Sequence, residues 1–127
     1  MLSKREGLML YWCEGDKYTS ENKYKIAVTS TDIKMMQLFV DWLEKHYDIN
    51  RCTIRLRLHI WETEQENRAK IQWSNKLGIP LENFTKSWIK KKGSGKRKHE
   101  FGLCRASIDS KEVFQEIMKD INQEFLS

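Results

Sequence analysis

Two groups of residues in this sequence have the types and spacing to do chemistry. The first is Glu14-Gly15-Asp16, which directly follows the six apolar residues from Leu8 to Cys13. A carboxylate in that position is costly unless it is ion-paired, bound to a metal or open to a water-filled cleft. An acid at a helix end that reaches water fits the same pattern. The second group is cationic. Between Asn83 and His99 stand seven basic residues, Lys86, Lys90, Lys91, Lys92, Lys96, Arg97 and Lys98, and no acid. They exceed the +5 net charge of the whole chain, so the remainder is slightly acidic. Charge concentrated in this way is the footprint of a polyanion binder. A solvated loop with Gly93-Ser94-Gly95 at its tip is the plainer alternative.

Other chemistries find little support. No Ser-His-Asp or Cys-His arrangement stands out, and Lys92-Gly93-Ser94-Gly95-Lys96 lacks the spacing of a phosphate-binding loop. The three histidines stand apart, so local spacing assembles no zinc site. Cys13, Cys52 and Cys104 are odd in number and widely spaced, and they read as reduced, buried residues of an intracellular, cytoplasmic protein. No signal peptide is expected. The Leu8–Cys13 run is also far short of the roughly 20 residues that span a bilayer. With 39% apolar residues, five Trp, five Phe and only one Pro among 127 residues, the chain can bury a core as a single domain over 1–127.

The elements that would position these groups follow from periodicity. Residues 4–14 read as a helix, apolar nearly all round from Gly7 to Cys13 and hence buried on several sides. Lys17-Tyr18 and Tyr24–Ser30 are short strand candidates joined by the polar turn Ser20–Lys23. Thr31-Asp32 starts a helix with Ile33, Met36, Phe39 or Val40, Leu43 and Tyr47 on one stripe, ending near Asp48. Arg51 to Trp61 alternates strictly. Cys52, Ile54, Leu56, Leu58 and Ile60 face one way, and Arg51, Thr53, Arg55, Arg57 and His59 face the other. Arginines sharing a strand face repel one another unless an anion lies between them. Acids on neighbouring strands, or a bound phosphate backbone, would both serve.

Thr63 and Glu66 form a candidate capping box for a helix to Leu77, stopped by Gly78. Phe84–Lys90 reads as a strand with Lys86, Trp88 and Lys90 on one face. Phe101–Ile108 reads as another, carrying Arg105. Asp109 and Glu112 would cap a last helix with its stripe on Val113, Phe114, Ile117, Met118, Ile121 and Phe125. The layout is α+β: an antiparallel sheet with helices on one face and a basic surface on the other.

At this point the chain resembles the LAGLIDADG homing endonuclease family. Gly7-Leu8-Met9-Leu10-Tyr11-Trp12-Cys13-Glu14-Gly15 is similar to its motif, an apolar helix that ends in an acid and a glycine. Leu77-Gly78-Ile79-Pro80 and Phe84-Thr85-Lys86 look like segments of small prokaryotic relatives. The resemblance implies an αββαββα module over nearly the whole chain, pairing through the first helix as a homodimer. It implies that Glu14, with Gly15 behind it, holds a divalent metal such as Mg²⁺ beside the scissile phosphates of double-stranded DNA. Three features depart from the family: Glu stands in place of the commoner Asp, the Lys17–Ser30 hairpin is short, and the helix at 63–77 lies between strands.

Two functions follow from this sequence. One is a metal-dependent DNA endonuclease with Glu14 as its catalytic acid, Asp16 supporting it, and Lys86 or Lys90 meeting the developing charge. The other is a non-cleaving regulatory or accessory protein. It would grip DNA, or else RNA, through Arg51, Arg55, Arg57, Lys86, Lys90, Lys91, Lys92, Lys96, Arg97, Lys98 and Arg105. Neither reading involves a membrane.

Overall fold

Ser3 starts the first helix. Its hydroxyl accepts the Glu6 amide while the Glu6 carboxylate accepts the Ser3 amide, a reciprocal cap on otherwise unpaired donors. Helix α1 runs Lys4–Glu14. The computed structural model describes residues 1–16, 24–62, 65–91 and 102–127. Over them the order continues as β1 (Lys25–Ser30), α2 (Ile33–Tyr47), β2 (Arg55–Trp61), α3 (Glu66–Leu77), β3 (Trp88–Lys90), β4 (Leu103–Asp109) and α4 (Lys111–Ile121). The architecture is α+β. No helix among these residues is long and apolar enough to cross a membrane.

Most boundaries have a local cause. The Asp32 carboxylate accepts the Met35 amide at 3.2 Å and caps α2. That helix ends at Asp48, which takes the left-handed conformation at φ 54°. Gly78 closes α3 in the same way at φ 66°, where the missing Cβ matters. Helix α4 starts one residue later than the sequence implies. Asp109 ends β4, and the Ser110 hydroxyl accepts the Val113 amide as the cap. Helix α3 begins at Glu66 behind Gln65, and Thr63 of the expected box lies outside the described residues.

The sheet order is β1-β4-β2-β3. Strand β4 runs antiparallel to both β1 and β2, whereas β3 runs parallel to β2. The sheet is therefore mixed, not antiparallel as expected. The reason is the crossover: α3 carries the chain back to the starting end of β2, so the next strand must run the same way. The Lys17-Tyr18 strand and the Ser20–Lys23 turn lie outside the described residues. The described order has one strand, β1, between α1 and α2, so the expected strand pair is not traced there. The Phe84–Lys90 strand is interrupted. After a 3-10 turn at Leu81–Asn83, Phe84 bridges Leu56, and regular pairing resumes only at Trp88. Asn83 locks that turn by donating to the Cys52 and Ile54 carbonyls at 2.7 and 2.9 Å.

One face of the sheet, with Leu56, Leu58 and Ile60 of β2, packs into a single core with all four helices. Cys104 is buried there, and burial pushes its thiol up to about 12. Cys13 and Cys52 are instead exposed, against expectation. Cys13 points away from the core side of α1, and Cys52 sits in a 3-10 turn, Arg51–Thr53, that precedes the strand. Helix α1 likewise has distinct sides. Leu8 and Tyr11 are fully buried, Trp12 stacks on Phe125 at 5.4 Å, and Met9 is 42% exposed.

Gly7 allows α1 to lie directly on α2. A Cβ there would fall 2.1 Å from Trp42 Nε1, the atom that donates to the Lys4 carbonyl at 3.2 Å. Gly7→Ala should raise helix propensity by about 1 kcal/mol, yet displacing the Trp42 ring should cost more. A net destabilisation of about 1–2 kcal/mol in urea unfolding is expected, and a more stable variant would refute this packing.

Candidate nucleic-acid interface

The face of the sheet turned away from the helices follows from strand parity. On β2 the outward residues are Arg55, Arg57, His59 and Trp61. The register sets Arg57 directly opposite Arg105 on β4, and Arg55 opposite Ser107. Farther along, Ser107 faces Ala27 and Asp109 faces Lys25 on β1. At the other edge His59 is level with Trp88, and Trp61 with Lys90. A cavity of 390 Å³ opens among Lys25, Arg55, Arg57 and Arg105, with the Thr85 and Ser107 side chains in its wall and Asp109 at its rim.

The counter-charges are few. Arg105 is held by Asp16 at 2.6 Å, and Lys25 stands 3.8 Å from Asp109, largely in solvent. Arg55 and Arg57 are exposed and have no ion-pair partner among the described residues. Asp16 reaches the face because α1 ends beside the edge strand. Gly15 bridges Val28, the Asp16 amide donates to the Ala27 carbonyl, and the Tyr11 hydroxyl donates to the Asp16 carbonyl. Gly15 leaves room for this turn, since a Cβ would lie 2.4 Å from the Tyr11 ring. Burial, and then the Asp16 charge, push the Tyr11 hydroxyl up to about 12.

The structure sorts the residues singled out in the sequence. It brings Arg55, Arg57 and Arg105 together and sets Lys90 on the same face. Arg51 is elsewhere. It precedes the strand, and its guanidinium meets Asp41 at 2.5 Å, Glu44 at 3.1 Å and the Leu77 carbonyl at 2.6 Å. Burial lowers its pKa, but the bonds to Asp41 and Glu44 outweigh that and raise it. Arg51 therefore ties the turn to α2 and α3 and is not a free cation. Lys86 and Lys91 are exposed outside β3, and Lys92, Lys96, Arg97 and Lys98 lie outside the described residues.

Glu14 is exposed at the end of α1, and Gly15 contributes its amide to the Tyr11 carbonyl at 2.7 Å. Asp16 is engaged by Arg105 rather than turned towards Glu14. Among the described residues no group of three or more His, Cys, Asp or Glu is placed to hold a metal. Among the described residues, the donors at Glu14 do not by themselves make up a ligand set for a divalent cation. Comparison with protein-family models, curated proteins and solved structures finds no match.

Three contributors to this face were not singled out in the sequence: Lys25, Thr85 and Ser107. Strand parity marks Lys25 and Ser107 as outward, but their place beside the arginines depends on the β1-β4-β2 order. The setting of His59 disfavours its charged form. Burial first, and then repulsion from Arg57, Arg105 and Lys90, lower its pKa. The unfolded chain accepts a proton near pH 6.5 that the folded face resists, so stability should fall as the pH drops below that value. An NMR titration should place the His59 midpoint below 6.5. A phosphate-backbone ligand on the face should raise it, and a midpoint above 6.5 in the free protein would contradict this electrostatic setting.

Proposed function

We propose that this is a nucleic-acid-binding protein that holds the phosphate backbone of DNA on the outward face of its sheet. The observation that carries this reading is the opposition of Arg57 and Arg105, with Arg55 alongside and, among the described residues, one carboxylate, Asp16, bonded to the group. Cations crowded on neighbouring strands repel unless an anion lies among them. The cavity they surround is open, and hydroxyl-bearing Thr85 and Ser107 add donors suited to phosphate oxygens. The sequence adds further cations beyond Lys90, which lie outside the described residues. Such binding depends on counterion release and should read little sequence.

The LAGLIDADG-like, cleaving form of this reading has one specific support. The acidic end of α1 is delivered to the edge of the cationic face, with Asp16 on Arg105 and Glu14 exposed just before it. A second copy, meeting the first at the exposed Met9 and Cys13 side of α1, would have to complete any metal site. A monomer in light scattering at micromolar concentration would refute that pairing. The endonuclease reading predicts that Glu14→Gln abolishes plasmid nicking in Mg²⁺ while leaving metal-free binding intact. Nicking that survives in the folded variant would refute it.

For binding itself, Arg55→Ala/Arg57→Ala should weaken affinity for a DNA fragment at low salt. It should also lower the slope of log affinity against log salt by roughly two, about one per lost phosphate contact. Arg51→Ala should do neither. It should instead cost roughly 1.5–3 kcal/mol in unfolding, the usual range for hydrogen bonds to a charged group. An unchanged salt slope in the double variant would overturn the phosphate-face proposal.

A further inference from the structure

We infer that the face takes an unpaired stretch of a nucleic-acid strand, with phosphates at the arginine end and a base stacked on Trp88 at the other. This rests on the phosphate-binding reading and adds the form of nucleic acid that the face accepts. Along β2 the outward residues change from cations to rings: Arg55 and Arg57, then His59 and Trp61. Strand β3 widens the ring end by setting Trp88 level with His59.

Trp88 is 49% exposed, and a side chain of that size usually gains by burial. Two neighbours nonetheless brace its ring. The His59 and Trp88 rings meet at 87° with centroids 5.1 Å apart, and the Lys90 ammonium lies 5.0 Å from the Trp88 centroid. Lys90 also lies 5.9 Å from the Trp61 ring, so a cation sits between two indoles and remains available to a phosphate. A half-exposed indole beside a cation is a platform for a flat ring attached to an anion. That is the chemistry of a nucleotide.

A duplex cannot use this platform, because its base faces are stacked on one another and only their edges reach the grooves. A single strand exposes both base faces and phosphates, and proteins that hold it combine a cationic track with aromatic stacking. From Arg55 to Trp61 the face extends about 20 Å at roughly 3.3 Å per residue, enough for a few nucleotides of extended strand. Burial and the nearby Arg57, Arg105 and Lys90 lower the His59 pKa, which disfavours an extra positive charge at the ring end.

The test compares fluorescein-labelled oligo-dT, oligo-rU and a DNA duplex of equal length by anisotropy at low and matched ionic strength. Both single strands should bind more tightly than the duplex. Trp88→Ala should weaken single-strand binding roughly tenfold, within the range for one stacked base, and leave duplex binding nearly unchanged. Trp88→Phe should restore most of the loss. Equal affinities for dT and rU support shared base-and-phosphate chemistry, and a preference for rU supports the same platform with RNA as its source. Duplex binding as tight as single-strand binding, with no effect of Trp88→Ala, would overturn this inference and leave the phosphate reading standing. Failure of all three probes to bind would overturn both. Ultraviolet cross-linking of oligo-dT to the wild-type protein gives a check that does not depend on the variant folding. Adducts on the Trp88 peptide support the platform, and adducts confined to the arginine end overturn it.

Discussion

The sheet can be dry on only one side. Packing Leu56, Leu58 and Ile60 of β2 beside Cys104, Ala106 and Ile108 of β4 fixes the register between the two strands, because a slip of one residue would turn each set outward. The same register has an unavoidable consequence on the other side. Arg57 and Arg105 are forced into direct opposition, with their Cβ atoms about 5 Å apart. The core thus dictates an electrostatic tension on the surface, and the surroundings are arranged around it.

Part of that tension is relieved from within. The tight packing of α1 on α2, at Gly7 against Trp42, directs the helix end to the edge of β1, where Asp16 reaches across to Arg105. The acid-glycine ending of the apolar helix is thereby put to structural use in this chain. Gly15 makes room for Tyr11, and Asp16 serves as an internal counter-ion. The other strong cation, Arg51, is neutralised on the helical side by Asp41 and Glu44. The exposed pair Arg55 and Arg57 has no such counter-ion among the described residues.

Much of this was legible in the chain. The strict alternation of 54–61 placed Leu56, Leu58 and Ile60 inward and Arg55 and Arg57 outward, and the stripes of α2 and α4 identified their buried sides. Local signals also set the ends at Asp32, Asp48 and Gly78. Three features needed information that parity does not carry. Arg51 and Cys52 continue the alternation, but Asn50 turns the chain by accepting the Cys52 amide, so neither joins the strand. The parallel β3 depends on where α3 returns the chain. The grouping of Lys25 with the arginines depends on β4 lying between β1 and β2, a long-range choice that no local pattern encodes.

That choice also governs how the molecule can be made. Strand β4 is the only link between β1 and β2 among the described strands, and Ser30 must wait for Cys104 to find its pairing partner. During synthesis the contacts between α1 and α2 can form early, being close in sequence, while two strands stay without their shared neighbour until nearly the whole chain has emerged. Closing so long a loop adds little to the equilibrium cost but slows the search. Until it closes, Arg105 is not set beside Arg55 and Arg57. The cavity is therefore a property of the finished fold, and a nascent or truncated chain lacking β4 would carry Arg55 and Arg57 without Arg105 beside them.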